Sequence, residues 1–300
     1  MKLVRLAAIV ACLVPPLSGT HAWAQADAKP KQKAKPKFLE SVSRTADIAR
    51  AADAEGGERL MADIAVGEIE CTVDPKATET RISAEFSVDG MDAADVQRRI
   101  KLVKLYAERA SDGTLIVNTI FPGARLPYDS VKLSIIAPTT DEVVLKSATG
   151  SVRARSTTGK LRASTKTGAI SIDGHRGPID ARATDGRVDV TGATETVQVT
   201  TTNGAIGVTL ADDNDQPFTV ESRNGAVRVE LSAAFDGVVN MITTGGAISI
   251  VDPVKRGRVS QYSETRVVAE FGAAASQCEI KTSNGAVTLV AAQPAAKKPE

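Results

Sequence analysis

The chain has 300 residues, of which 42% are apolar and 24% are charged, and its formal net charge is +1. This composition excludes wholesale disorder, and the near-neutral charge gives no general support for nucleic-acid binding. Aromatic residues make up only 3% of the chain, so the core must be built from Val, Ile, Leu, Ala and Thr. These residues suit narrow, regularly stacked β-structure better than a bulky, irregular core.

The first 24 residues have the parts of an export signal. Two basic residues precede an apolar run of nine at residues 6–14, and Ala22 and Ala24 are small residues where a signal peptidase reads the chain. A retained membrane anchor is an alternative, but a spanning helix needs about 20 apolar residues. Lipidation at Cys12 is a second alternative, which the short apolar stretch before that residue disfavours. We therefore predict export to the periplasm or the cell surface, with no transmembrane segment in the mature chain.

Cleavage of the export signal changes the net charge of the chain and removes some of its reactive side chains. It removes two basic residues and no acidic one, which changes the formal net charge from +1 to −1. The mature chain keeps Cys71, Cys278 and a single histidine, His175.

Residues 25–57 are predicted to be a basic linker that includes a short helix. Five lysines and two prolines at residues 25–37, with almost nothing apolar, predict a mobile segment. Contact of this segment with anionic envelope polymers is the alternative. Apolar residues at loose helical spacing predict the short helix over residues 38–54.

Residues 58–145 alternate less regularly and are predicted to form an irregular N-terminal β part. An acidic start and a shared apolar face predict a short helix from Asp92 to about Leu102. This helix is expected to cap the open end of the β-structure, because an uncovered end would template aggregation. Residues 291–300 are predicted to be a disordered tail.

Residues 146–290 carry the main signal, a repeat of nine residues. Seven units follow one another from Ser147, and a marker glycine recurs in six of them. Apolar residues lie two and four places after the marker, with a polar residue or glycine between them. Alternation with a period of two indicates strands with one buried face. The corner residues of this pattern are Gly150, Gly168, Gly186, Asn203, Gly204, Asn224, Gly225, Asn284 and Gly285.

The spacing of the corners distinguishes two folds. Corners with Asn, Asp or Thr before the glycine lie 18 residues apart up to Gly204, and the next two follow at 21-residue intervals. The units between these corners are the irregular ones, so regular and irregular units alternate along the chain. This alternation predicts an all-β fold, a β-solenoid of stacked two-strand coils of about 18–21 residues. A meander of antiparallel hairpins is the alternative. It would leave an apolar sheet face that needs a bulky second layer, for which the chain has few aromatic residues.

The corners give two further expectations. Asn, Asp and Gly tolerate the left-handed backbone that a sharp corner needs. Hydroxyl residues such as Ser147 and Thr165 recur three places before the marker glycine. They are expected to bond to each other or to the backbone.

The glycine-marked strand repeats, the export signal and the irregular front half resemble the bacterial "putative adhesin" β-strand-repeat domain of unknown function. The related head-GIN β-solenoid domains look similar. The resemblance covers about residues 58–290 and rests on the repeat pattern, not on a catalytic motif. It implies a β-solenoid in the cell envelope and supplies no active-site residues.

No catalytic constellation is recognisable in the sequence. His175 is expected at an exposed corner without a partner motif, and neither a nucleophile elbow nor a phosphate-binding glycine loop is present. Neither a cofactor nor a metal site is expected. Cys71 and Cys278 fall on inward columns of the first and last coils, too far apart for a disulfide. Both are therefore predicted to be buried free thiols.

Binding is the favoured function, in a non-catalytic adhesion or scaffold role in the cell envelope. Residues 146–187 hold nine basic residues against three acidic ones, which indicates a face for an acidic glycan or a lipid headgroup. The predicted binding residues are Arg153, Arg162, Lys166 and Arg187.

Two other functions remain open at this point. One is a sensor partner. The other is a polysaccharide-active enzyme on the same scaffold, whose candidate residues are Asp173, Asp180, Asp185 and Asp189 with Arg153, Arg162, Arg182 and Arg187.

Overall fold

The structure is a computed structural model that describes residues 38–49, 57–253, 255–273 and 276–292. The predicted export signal, the basic segment at residues 25–37 and residues 293–300 of the predicted tail lie outside the described residues. All described residues belong to one compact unit.

The front part of the described chain contains seven strands and one helix. They are β1 (Leu39–Ile48), β2 (Glu58–Ile64), β3 (Gly67–Val73), β4 (Thr80–Asp89), α1 (Ala93–Leu102), β5 (Lys104–Arg109), β6 (Leu115–Ile120) and β7 (Ser130–Ala137).

The central and closing parts consist of short strands joined by tight corners. The central strands are β8 (Thr140–Thr149), β9 (Val152–Arg155), β10 (Lys160–Thr167), β11 (Ile170–Asp173), β12 (Ile179–Asp185), β13 (Val188–Ala193), β14 (Val197–Asn203), β15 (Ile206–Leu210), β16 (Phe218–Asn224) and β17 (Val227–Leu231). The closing strands are β18 (Gly237–Thr243), β19 (Ile248–Val251), β20 (Gly257–Tyr262), β21 (Arg266–Phe271), β22 (Ser276–Asn284) and β23 (Val287–Ala291).

These strands form two sheets. Sheet A has 11 strands in the order β1-β4-β7-β3-β9-β11-β13-β15-β17-β23-β19, and sheet B has 12 in the order β20-β21-β18-β22-β16-β14-β12-β10-β8-β2-β6-β5. Each winding contributes one strand to sheet B and the next strand to sheet A, as β10 and β11 do. Neighbouring central windings pair in parallel and in register, so Ile170 lies beside Val188, and Val188 lies beside Ile206.

The parallel pairing confirms the β-solenoid and contradicts the antiparallel meander. Val188 and Ile206 are 0% and 2% exposed, whereas the residues that alternate with the apolar ones along each strand are directed outward. The period-two alternation therefore has its expected meaning, with one side of each strand in the core between the sheets. The core consists of stacked columns of equivalent positions, which small β-branched and aliphatic side chains mostly fill.

Chain order and spatial order differ at both ends of the stack. At the front, β6 and β7 lie outside β2 and β3. At the back, β22 inserts between β16 and β18, and β23 inserts between β17 and β19, in parallel with each neighbour. The repeat pattern places the winding of Cys278 last, and the structure corrects this position. Spacing alone cannot show the insertion, because each of these windings carries the same marker pattern.

The helix predicted over residues 38–54 is wrong where the structure describes the chain. Strand β1 occupies this position and pairs antiparallel with β4 over its whole length. Its half-buried residues alternate with exposed ones, and Val42 and Ile48 pack against the core. The few apolar residues of such an edge strand match a helical spacing about as well as a strand spacing, which explains the error.

The helix predicted from Asp92 is confirmed as α1. The Asp92 side chain caps it by accepting a hydrogen bond from the Asp95 amide at 2.8 Å. Helix α1 packs against β1 and β4 at the front of sheet A. It is the only helix in the described part of the chain, and no helix there is long and apolar enough to span a bilayer.

The aromatic residues are concentrated at the two ends of the stack. Phe86 and Phe121 meet at the front with ring centroids 5.4 Å apart. Phe235 stands at the back between Phe218 and Phe271, at 5.9 Å and 6.1 Å. Bulky rings thus fill the places where the regular stacking of equivalent residues stops.

The corner glycines are required by the close approach of successive windings. A Cβ atom on Gly204 would lie 2.0 Å from the carbonyl oxygen of Gly186, and one on Gly225 would lie 2.0 Å from that of Gly204. The same contact recurs through Gly150, Gly168, Gly186, Gly285 and Gly246. No side chain fits there, because a carbon atom cannot come so close to a backbone oxygen.

The corner asparagines have a different role from the predicted one. Among the described non-glycine residues, only Ser156 and Lys255 have a positive φ, so the asparagines do not adopt the left-handed backbone. Their amides instead form an exposed ladder. Asn284 donates to Asn224 at 2.8 Å, Asn224 donates to Asn203 at 2.7 Å, and Asn203 donates to Asp185 at 2.6 Å.

The hydroxyl residues before the corners bond to the backbone of the neighbouring winding. Each is buried and donates to the carbonyl oxygen of a corner glycine at 2.9–3.2 Å. The pairs are Ser147 with Gly67, Thr165 with Gly150, Thr201 with Gly186, Ser222 with Gly204, Thr282 with Gly225 and Thr243 with Gly285. These bonds satisfy carbonyl groups that the tight corners would otherwise bury unpaired.

Cys71 and Cys278 are both free and buried. Six strand spacings separate their windings, or about 29 Å at 4.8 Å for each spacing, well beyond the reach of a disulfide. Burial raises the pKa of Cys71 to about 12 and that of Cys278 to about 11. Both thiols are therefore protonated and unreactive in the folded protein.

Candidate functional site

The structure divides the four predicted binding residues between two faces. Arg162 and Lys166 lie on β10 and are exposed on the outer face of sheet B. Arg153 lies on β9 of sheet A, and Arg187 immediately precedes β13 of the same sheet. The four residues therefore do not form one continuous basic face.

Sheet B brings a different set of residues together around Ser164. Ser164 is half-buried on the outer face of β10, between Arg162 and Lys166 of the same strand. Lys146 of β8 and Arg182 of β12 are its in-register neighbours on either side. We call these five residues the Ser164 cluster. Four long cationic side chains thus surround one short hydroxyl.

The spacing of the cluster follows from sheet geometry. Arg162 and Lys166 are each two residues from Ser164 along the strand, or about 6.6 Å. Lys146 and Arg182 are each one strand away, or about 4.8 Å. The positions surround a point instead of forming a row, so the cations can act together on one bound group.

Acidic neighbours neutralise only part of this charge. Arg182 is held by Asp180 through two hydrogen bonds of 2.8 Å and 2.9 Å. Asp63 of β2 is the in-register neighbour of Lys146 on the side away from Ser164. Within the described residues, the other three cations of the cluster form no ion pair, and the Ser164 hydroxyl has no hydrogen-bond partner. The four cations of the cluster and the carboxylates of Asp180 and Asp63 together have a formal charge of +2.

The cluster lines two adjoining depressions of the sheet B surface, with volumes of about 350 Å³ and 460 Å³. Both depressions share Lys146, Ser164 and Arg182. Arg162 lines one of them and Lys166 lines the other. The small Ser164 side chain thus forms the floor between longer neighbours, and the site is open to solvent.

The carboxylates of the enzyme alternative are spread over the surface. Asp180 lies on sheet B, whereas Asp189 lies on sheet A and is paired with Arg187 at 2.6 Å. Asp185 accepts from the asparagine ladder at the corner, and Asp173 ends β11. Asp173 and Asp189 face outward on the neighbouring strands β11 and β13, but the other two carboxylates lie on sheet B and at the corner, so the four do not form one cluster.

His175 corrects the expectation of an exposed corner. It is 0% exposed, and its Nδ1 lies 2.8 Å from the Thr157 hydroxyl. Its Nε2 is buried and has no hydrogen-bond partner among the described residues. Burial lowers the pKa of His175 below its usual value of 6.5. A histidine between two glycine corners can therefore point inward, which the corner pattern alone does not reveal.

We expect the buried His175 to make the fold sensitive to mild acid. Its folded-state pKa lies below the unfolded value of 6.5, so the unfolded chain binds a proton first and the stability that the neutral ring provides is lost as pH falls below about 6.5. Urea unfolding of the wild type and of His175→Gln, compared at about pH 7.5 and about pH 5.5, tests this. The wild type should lose more stability than the variant on acidification. Equal losses would show that the pKa of His175 is the same in the folded and unfolded states.

Comparison with known proteins finds a family model that matches most of the repeat region. Residues 160–290 match the family model described as Domain of unknown function (DUF7330), in agreement with the resemblance to a domain of unknown function. No curated protein matches the chain.

Several solved structures are similar over most of their length. One, a "putative adhesin" from Bacteroides fragilis, is 12% identical with a TM-score of 0.42 and covers 84% of this chain and 97% of its own. A "putative cell adhesion protein" from Clostridium sporogenes is 11% identical, with a TM-score of 0.37 and coverage of 84% and 100%. A "putative lipid binding protein" from Parabacteroides distasonis is 9% identical, with a TM-score of 0.35 and coverage of 85% and 97%. The Ser164 cluster rests on the geometry of this chain alone.

Proposed function

We propose that this protein is an exported, non-catalytic binding protein of the cell envelope that holds acidic glycans or anionic headgroups on the outer face of sheet B. The observation that carries this proposal is the Ser164 cluster, where three cations that form no ion pair with any described residue and one paired arginine surround an open depression. Export is supported by the signal-like start of the sequence. The solenoid supports a binding role because its parallel strands hold the charged side chains at fixed spacings.

Electrostatics favours sheet B over sheet A for this role. On sheet A, Arg187 is paired with Asp189, Arg155 with Glu70 and Arg228 with Glu230. Arg153 forms no ion pair with a described residue, but its in-register neighbour on β3 is the acidic Glu70. Paired charges gain little from a ligand, because binding must compete with the existing partner. The cations of the Ser164 cluster that lack a partner lose only water on binding, so their attraction for an anion is less compensated.

We expect the double variant Lys146→Glu/Lys166→Glu to weaken binding to polygalacturonate, an acidic glycan, by about tenfold or more, because each change replaces attraction with repulsion. Binding of the purified mature protein would be measured by titration at low salt, where the surface charges are least screened. Binding of the wild type should weaken as salt is added.

Arg153→Glu is the matched control, since Arg153 is a basic residue of the same repeat on sheet A. It should leave the affinity within about twofold of the wild type. Equal losses in the double variant and the control would contradict the proposed site. Release of reducing ends from the polymer, abolished by Asp189→Ala, would instead establish the enzyme alternative.

A further inference from the structure

We infer that the Ser164 cluster is a seat for one compact, doubly charged anion, a phosphate monoester group. This inference rests on the proposed function and specifies the chemistry of its ligand. The feature that supports it is convergence, because the four cationic positions surround Ser164 on all sides in the plane of the sheet.

The shape of the cluster distinguishes a phosphate from a row of carboxylates. A polymer with one carboxylate on each sugar spreads its charge along a line, and the best partner would be a row of cations along the stack. The in-register row through Ser164 instead continues from Arg182 to Thr200 and then to Glu221, which ends the basic stretch. Across the strands the cations of the cluster are thus limited to Lys146 and Arg182 beside Ser164, whereas along β10 the exposed Lys160 adds one further cation beyond Arg162.

The charge of the cluster fits the same ligand. The formal charge of the cluster with Asp180 and Asp63 is +2, and a phosphate monoester carries about −1.5 to −2 near pH 7. Its oxygens accept hydrogen bonds from several directions, which suits cations placed on opposite sides of one point. The Ser164 hydroxyl forms no hydrogen bond with a described residue, so it is free to donate one to the phosphate oxygen nearest the sheet.

The depth of the depression also favours a small group. Ser164 is half-buried, while its neighbours Lys146, Arg162 and Lys166 are exposed. A compact group can therefore rest on the serine with the cations around it, and the remainder of its molecule can extend into solvent. The same group could belong to a soluble phosphate ester or to a lipid headgroup.

Calorimetric titration with glycerol 3-phosphate, at constant ionic strength, tests the inference on the purified mature protein. The wild type should bind one equivalent, and acetate at the same ionic strength should not saturate. Ser164→Asp, which places a carboxylate on the floor of the seat, should weaken binding by about tenfold or more. Ser171→Asp is the matched control, because Ser171 is a half-buried serine on the outer face of sheet A between Arg153 and Asp189.

Vesicles distinguish the source of the phosphate. If a lipid supplies it, vesicles with phosphatidic acid should bind more tightly than vesicles with the singly charged phosphatidylglycerol. If the source is soluble, glycerol 3-phosphate should bind and neither vesicle should. Equal effects of the two serine substitutions, or equal binding of the phosphate and acetate, would overturn the inference. Polygalacturonate binding that depends on Lys146 and Lys166, but is not displaced by glycerol 3-phosphate, would leave the proposed function standing and reject the phosphate seat.

Discussion

Gly204→Ala is expected to destabilise the protein by about 3 kcal/mol or more, the upper range for a side chain forced into a filled space. The new methyl carbon would lie 2.0 Å from the Gly186 carbonyl oxygen and 2.5 Å from its carbon. Both contacts are with backbone, so relief requires the corner to move away from the winding beneath it. That movement would stretch the hydrogen bond from the Gly186 amide to the Asn203 carbonyl, which measures 3.0 Å. Urea unfolding followed by circular dichroism measures the loss.

Gly207→Ala is the matched control, three residues away in the same winding. Its new methyl group would lie 2.8 Å from an Asp189 carboxylate oxygen and 3.8 Å from the Arg187 guanidinium, and both are ends of flexible side chains that can move towards solvent. We expect a change within about 0.5 kcal/mol, typical of a surface position. Similar losses in the two variants would mean that the corner contact is not what requires glycine.

Arg99→Ala is expected to destabilise the front of the solenoid by about 3 kcal/mol, the cost of leaving one member of a buried ion pair without its partner. The Arg99 and Asp129 side chains are 9% and 0% exposed, and their closest atoms are 2.5 Å apart. Arg99 also donates to the Ala124 carbonyl at 3.1 Å, so it holds the loop before β7 against α1. Without it, the Asp129 carboxylate keeps only backbone donors.

The loss of stability in Arg99→Ala should be confined to the front of the solenoid. Windings contact mainly their neighbours, so a fault at one end should open that end first. Hydrogen exchange should increase in α1 and residues 121–129 before it increases in β12–β15. Arg98→Ala, the adjacent position with an exposed pair to Asp95, should change neither stability nor exchange measurably. Uniform acceleration along the whole chain would contradict this local role of Arg99.

The regular part of the fold is readable from the sequence because its physics is periodic. In the central windings, residues 18 apart lie beside each other in one sheet, as Ile170 and Val188 do. The apolar columns, the corner glycines and the hydroxyl residues all follow from that spacing. The front end is not periodic, which is why the sequence does not reveal strand β1. The insertion of β22 and β23 is hidden for the opposite reason, because their winding carries the same marker pattern as its neighbours.

The candidate site was predictable only in part, for a related reason. Residues nine apart, such as Arg153 and Arg162, fall on opposite sheets. Lys146, Ser164 and Arg182 are 18 apart and therefore adjacent. Grouping the basic residues by the nine-residue unit combines residues of both sheets. Grouping them by the 18-residue coil brings together the residues of the Ser164 cluster. His175 has no such signal, because nothing in its corner indicates which way the ring points.

Engineered disulfides test most directly the claim that residues one coil apart are neighbours while residues one unit apart are not. Lys146→Cys/Ser164→Cys places two cysteines on adjacent strands with their Cα atoms about 4.8 Å apart, within the Cα separation that a disulfide spans. Mild oxidation should bridge this pair in the folded protein, with the buried native cysteines unchanged. Arg153→Cys/Arg162→Cys, on opposite sheets, should remain reduced. A bridge in the second pair and none in the first would contradict the stacked arrangement and the Ser164 cluster with it.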